Sequence, residues 1–160
     1  MAIETTSINL VTADVLLQNW QGHRRLTRKT IEAFPEDKLF QFSVGGMRTF
    51  GEMALELISM AVPVVEGVST GKWAAFEYRK PESKSELLRL WDIQTAKLNE
   101  EFPKISPARF WVVEKAFDQW EMPGIVTIQY TIDNEIHHRG EGYVYLRALG
   151  IEPPPFWDRN

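Results

Sequence analysis

The stretch PGIVTIQYTIDNEIHHRGEGYVYLRALGIEPPP, residues 123 to 155, reads as one long helix with both ends marked. Pro123-Gly124 punctuates its start, Gly150 suits a C-terminal cap, and Pro153-Pro154-Pro155 cannot continue a helix. At 1.5 Å per residue the segment from Gly124 to Leu149 would be about 37 Å long. Gly140 and Gly142 lie inside it, each at a cost of roughly 1 kcal/mol relative to alanine. A compensation is therefore expected, and the close approach of a neighbouring helix is the favoured one.

Three further helices precede it. From about Ala13 to Phe34, the residues Leu16, Trp20, Thr27, Ile31 and Phe34 recur at the three-or-four spacing of one helical face, and Pro35 follows as a stop. After Val44-Gly45-Gly46, Thr49 and Glu52 have the spacing of a capping box, which opens a second helix with the face Phe50, Ala54, Leu57, Ala61 and Val64. Pro63 is expected to kink this helix or shorten its second half, and Gly67 and Gly71 to finish it. Ser83 with Glu86 is a second capping box. It opens a third helix with the stripe Leu87, Trp91, Leu98 and Phe102, ended by Pro103.

Two connections are long, Thr70 to Glu82 and Lys104 to Met122, the second containing the β-prone Phe110-Trp111-Val112-Val113. Long crossovers let consecutive helices run parallel, so the expected architecture is an all-α four-helix bundle in up-down-down-up order. No repeat or linker divides residues 1–160, and one domain is expected.

The 160 residues are 44% hydrophobic and 25% charged, enough for one well-formed core. A net charge of −4 with scattered Lys and Arg argues against nucleic acid as a partner. Apolar runs such as Met60 to Val65 fall far short of the roughly 20 residues of a membrane span. The opening residues lack the order of a signal peptide, so a cytoplasmic location and no membrane partner are expected. With no cysteine and three histidines, any metal would rest on His, carboxylate or amide groups.

The stretch Asp133-Asn134-Glu135-Ile136-His137-His138-Arg139-Gly140-Glu141, continued by Tyr145-Leu146-Arg147-Ala148-Leu149-Gly150, resembles the last helix of the DinB-like (DinB/YfiT) family. Thr49-Phe50-Gly51-Glu52 and Phe34-Pro35-Glu36 add softer matches, so the likeness spans nearly the whole chain. The resemblance implies a bundle holding a metal on three histidines, one from the second helix and two spaced i, i+4 on the fourth. Related members include metal-dependent transferases acting on small thiols. Carried over by position, the ligands fall on Glu56, Asn134 and His138, so one histidine of the three remains. Glu141 stands where the family usually has glutamine.

Asn134 and His138 share a helix face one turn apart and can address one ion. A Glu/Asn/His set is harder than three imidazoles and suits Zn, Ni, Mn or Fe as divalent ions, with an open position for water or substrate. Each assignment has a plainer rival. His138 would otherwise be a core histidine bonded to a carboxylate, Glu56 a solvated flank residue and Asn134 a hydrogen-bonding amide. His137 points about a quarter turn away and suits a surface or dimer contact. His23 reads as a core histidine, with a place near the metal as the alternative. Arg139, Arg147 and Tyr145 either face an anionic ligand or, the favoured reading, form exposed i, i+4 pairs.

The tryptophans read as core and loop anchors, Trp157 as a pin for the tail or a contact with a second subunit. Two functional readings stand. One is a metal-binding bundle acting on a small-molecule substrate as a small-thiol transferase or hydrolase. The other is a non-catalytic bundle serving as a ligand-binding or homodimeric scaffold.

Overall fold

The computed structural model describes residues 11–74 and 79–160. The opening residues and the middle of the 70–82 connection, with the readings made on them, lie outside this range. The chain is mainly helical: α1 Ala13–Ala33, α2 Glu36–Leu39, α3 Phe50–Thr70, α4 Lys84–Glu101 and α5 Gly124–Ala148. Two strands, β1 Val113–Ala116 and β2 Trp120–Pro123, pair antiparallel between α4 and α5.

The helix ends follow local chemistry. Thr12 accepts the Val15 amide at 3.2 Å to cap α1. At α3 the Thr49 hydroxyl accepts the Glu52 amide at 3.3 Å and the Glu52 carboxylate accepts the Thr49 amide at 2.8 Å, a complete capping box. The α4 box is half formed. Ser83 accepts the Glu86 amide at 3.1 Å, but the Glu86 carboxylate takes the amide of Glu82, one residue earlier than expected. Gly71 and Gly150 close α3 and α5 with φ of 74° and 76°, the left-handed conformation that glycine adopts without a Cβ penalty.

Three expectations change. Pro63 does not shorten α3, which runs unbroken to Thr70; Val62, Val64 and Val65 beside it are all buried, and that packing outweighs one missing backbone bond. The β-prone tract is displaced, with Phe110 and Trp111 in a 3-10 turn and the first strand starting at Val113. Pro103 ends α4 as an α-helix, yet the chain carries on as a 3-10 turn through Lys104. The short α2 had no periodic signature.

The helix α1 packs between α4 and α5, and α3 packs between the same two. Lys84 at the start of α4 donates to the Phe34 carbonyl after α1 at 2.7 Å, while Gln21 in the first half of α1 donates to Asn99 near the end of α4 at 2.9 Å. Two apolar clusters fill the interior. Phe34, Phe50, Leu57, Trp91 and Tyr145 belong to one, with Phe34 and Phe50 stacked at 4.9 Å; Trp20, Val65, Leu98, Phe102 and Ile128 belong to the other. Burying each such side chain contributes about 1.5–3 kcal/mol. By length and composition α3 could cross a membrane, but 67% of its apolar window is buried against the other helices, as in a core helix.

An ionic layer joins α1, α4 and α5. Glu135 is buried and accepts Trp20 Nε1 at 3.1 Å and the Thr27 hydroxyl at 2.7 Å, with Arg24 at 3.7 Å. Arg24 is fully buried, lies 3.9 Å over the Trp91 ring and donates to the Thr95 hydroxyl at 2.8 Å. Arg139 donates to the Thr27 hydroxyl at 3.1 Å and faces His23 Nδ1 at 3.1 Å. The exposed-pair reading of Arg139 is therefore corrected. The hydroxyl of Thr27 and the carbonyl of His23 on α1 provide acceptors that draw the guanidinium inward.

The glycines of α5 divide. A Cβ on Gly142 would come within 2.5 Å of the Phe50 ring, so this is the close approach of α3 expected from the sequence. Among the described residues nothing lies within 4 Å of a Cβ on Gly140, which makes no such close approach. Trp157 is exposed, and polar groups hold the tail instead: Arg25 donates to the Arg159 carbonyl at 2.7 Å and Lys29 pairs with Asp158 at 2.8 Å.

Candidate metal centre

The contact of Gly142 with Phe50 sets the α3–α5 spacing one turn from where Glu56, Asn134 and His138 meet. Asn134 Nδ2 donates to Glu56 Oε1 at 3.1 Å and lies 3.4 Å from Met60 Sδ. His138 Nε2 is 3.4 Å from the same Glu56 oxygen. The three positions taken from the sequence thus converge in the structure.

Glu141 and Arg48 complete the cluster. His138 Nδ1 lies 2.6 Å from Glu141 Oε2, so this nitrogen carries the proton and donates it to the carboxylate. That tautomer leaves the Nε2 lone pair facing Glu56. Arg48, the last residue before the Thr49 cap, pairs with Glu56 Oε2 through Nη1 and places Nη2 3.3 Å from His138 Nε2. In the neutral ring the bare Nε2 accepts from Arg48, and in the protonated ring it donates to Glu56 Oε1 at 3.4 Å instead. Tyr145 donates its hydroxyl to the Arg48 carbonyl at 2.9 Å and fixes the backbone beneath that side chain.

The electrostatics match the contacts. Hydrogen bonding to His138, set against burial and aided by Arg48 and Asn134, lowers the Glu56 pKa to about 2. Burial alone would lower the His138 pKa, but the bonds to Glu56 and Glu141 outweigh it and raise the value above the ordinary one. His23 lies on the other side of α5 from this cluster, between Arg139 and Arg159, and burial followed by those two charges brings its pKa down to about 4. It is a core histidine.

A second grouping shares His138. His137, His138 and Glu141 each offer one ligand atom within 4.8 Å of the others, with His137 exposed and its Nε2 3.6 Å from Glu141 Oε1. The imidazole of His138 therefore separates an inner face, with Glu56, Asn134 and Arg48, from an outer face with Glu141 and His137. In donor type the inner residues fit a divalent ion: one imidazole nitrogen, carboxylate oxygens, and an amide oxygen reached by turning the Asn134 amide over. The outer face requires Nδ1 to lose its proton and its bond to Glu141.

Next to the inner face lies a small apolar cleft of about 30 Å³ between the hairpin and the α3–α5 pair, lined by Met60, Val64, Phe117, Trp120, Tyr130 and Thr131 among others. Met60 belongs to both the cleft and the polar cluster.

The profile of the DinB family matches residues 6–159. The chain belongs to the DinB family. Its similarity to individual members is distant: it is 19% identical over 148 residues to the uncharacterized protein YjoA of Bacillus subtilis strain 168, covering 91% of this chain and 96% of that protein. The crystal structure of YjoA superposes with a TM-score of 0.74 at 18% identity, covering 91% of this chain and 99% of that one. A DinB-like protein of Bacillus cereus ATCC 10987 gives 0.72 at 21% identity, covering 89% and 95%. At these identities the DinB structures establish the fold and leave the site to be argued from its own geometry.

Of the charged residues at this site, sequence reasoning missed the part of Arg48. It precedes the helix, so helical periodicity assigned it no direction. Its position immediately before a capping threonine, on a turn built by Gly45 and Gly46, was the available signal.

Proposed function

We propose that this DinB-family chain holds a divalent transition ion on His138, with Glu56 and the Asn134 amide as the other protein ligands. The carrying observation is the bond from His138 Nδ1 to Glu141 at 2.6 Å, which leaves Nε2 directed at Glu56. A carboxylate on the far nitrogen is the usual means of orienting a histidine ligand and fixing its tautomer. When bound, the ion would offer an open position to polarise a water or a thiol; the likeness to metal-dependent transferases of small thiols then makes small-thiol transfer or hydrolysis the reaction class proposed.

A second reading is favoured by Arg48, whose guanidinium already neutralises Glu56. On that reading the chain is a non-catalytic bundle that binds a small ligand or a second copy without an ion. For assembly we read the four long helices as up-down-down-up, a reading supported by the Lys84–Phe34 and Gln21–Asn99 bonds between α1 and α4. A homodimer fits the exposed Trp111, Phe156 and Trp157, and the cytoplasmic location is proposed from the sequence alone.

Zinc titration of chelator-stripped protein by isothermal calorimetry tests the metal reading. Wild type should take up one ion per chain, Glu56→Gln should weaken it at least tenfold, and His137→Ala should stay within twofold. The reverse ranking would move the ion to the outer face, and no uptake by any variant would favour the metal-free reading.

A further inference from the structure

Among the described residues, Arg48 is the one cationic side chain that touches both Glu56 and His138. Its Nη1 pairs with Glu56 Oε2, and its Nη2 sits 3.3 Å from the nitrogen that a metal would use. A guanidinium presents several donors in a planar fork and suits two acceptors at once. It therefore meets the demand that an ion would meet, positive charge shared between a carboxylate oxygen and an imidazole lone pair. Both cannot be served at the same time, because Nε2 has a single lone pair and the two cations repel at such separation.

We propose that Arg48 is the resident cation of the inner face, filling the space between Glu56 and His138 in the metal-free protein and leaving it when a divalent ion enters. This rests on the reading of His138 as a metal ligand. The Arg48 side chain is half exposed, whereas those of Glu56 and His138 are largely covered, so the guanidinium has a way out to water and the ligands stay in place. The Tyr145 hydroxyl holds the Arg48 carbonyl, and the exchange is a rotation of the side chain about a fixed backbone. Arg48 thus sets an affinity threshold: every ion must displace a tethered guanidinium, which lowers all apparent affinities by the same factor and leaves weakly held ions below occupancy.

The decisive comparison is zinc affinity, by calorimetry, of wild type, Arg48→Met and Arg48→Lys, with His138→Ala as the site control. Arg48→Met should bind zinc at least tenfold more tightly than wild type at unchanged stoichiometry, and Arg48→Lys should fall between them. In wild type labelled with 15N, zinc should also move the Arg48 Nε–H resonance toward the position of a solvated arginine. Without metal, Arg48→Met and Glu56→Gln should each lower the melting temperature, and the double variant should lose less than the sum. Equal or weaker zinc binding by Arg48→Met, an unmoved resonance, or additive losses would overturn the proposal. Failure of the underlying metal reading has a different signature, in which zinc binds His138→Ala undiminished or binds none of the variants, and the proposed exchange falls with it.

Discussion

Replacing Gly142 by alanine tests the contact that sets the spacing of α3 and α5, and Gly140→Ala, two residues away on the same helix, serves as its control. In a helix interior glycine is worse than alanine by about 1 kcal/mol, so on propensity alone both changes stabilise. At Gly140 nothing lies within 4 Å of the new methyl group, and about 0.5–1 kcal/mol of stabilisation is expected. At Gly142 the methyl carbon would stand 2.5 Å from a ring atom of Phe50. That ring is fully buried and stacked on Phe34, so it has no rotamer to escape to, and either α3 shifts or the ring strains. Overpacking of this kind costs about 1–3 kcal/mol. After the propensity gain, Gly142→Ala should destabilise by about 1 kcal/mol. For a chain of this size 1 kcal/mol moves the melting temperature by about 2–4 °C, so the two variants should separate by about 3–8 °C. Thermal unfolding followed by circular dichroism at 222 nm reads the difference. Shifts of the same sign and size would refute the close approach of α3 to α5.

Glu135→Ala should cost about 3–5 kcal/mol in urea unfolding, because it leaves the buried Arg24 and Arg139 without their carboxylate; Glu135→Gln should cost less, and a loss under 1 kcal/mol would contradict the ionic layer. The Glu56–His138 pair should show a stability window. The lowered Glu56 pKa gives stabilisation that is present above its ordinary 4.5 and lost as pH falls toward about 2, and the raised His138 pKa gives stabilisation complete below 6.5 and lost as pH rises past the folded value. The gap in melting temperature between wild type and a Glu56→Gln, His138→Gln double variant should therefore be widest between pH 4.5 and 6.5, and a gap independent of pH would contradict the pairing. His23 works the other way: its folded pKa of about 4 lies below 6.5, so its stabilisation is present above pH 6.5 and declines as pH falls to 4. His23→Gln should flatten that decline, and an unchanged slope would assign it to other groups.

The sequence carried the helix boundaries wherever local chemistry determines them. Thr49 with Glu52, Gly71 and Gly150 act through bonds and backbone conformations within a few residues, and the structure keeps each of them. The stripes of α3 and α4 were equally legible because apolar burial follows helical period. The family resemblance led to Glu56, Asn134 and His138, and the chain folds so that they meet. What stayed hidden depends on partners far away in sequence. Arg139 looked like a surface residue because arginine usually is one, and Arg24 was not singled out; their burial requires Glu135, Thr27 and Trp91 from three helices. Gly140 and Gly142 have the same local sequence character, and only the position of Phe50 distinguishes them. The short α2 was invisible because a four-residue element carries no periodic signal, and of the hairpin only the β-prone Phe110-Trp111-Val112-Val113 was flagged, overlapping β1 at Val113.

The most direct test of the central claim, that His138 is the ligand around which this site is built, is the metal content of untagged protein purified without chelator, read by inductively coupled plasma mass spectrometry. Wild type and His137→Ala should each carry close to one divalent transition ion per chain, and His138→Ala should carry none. Glu56→His with Asn134→His, which puts imidazoles at the two positions where the family resemblance implies them, should tighten zinc by orders of magnitude. A His138→Ala protein that keeps its ion, or a His137→Ala protein that loses it, would contradict the account.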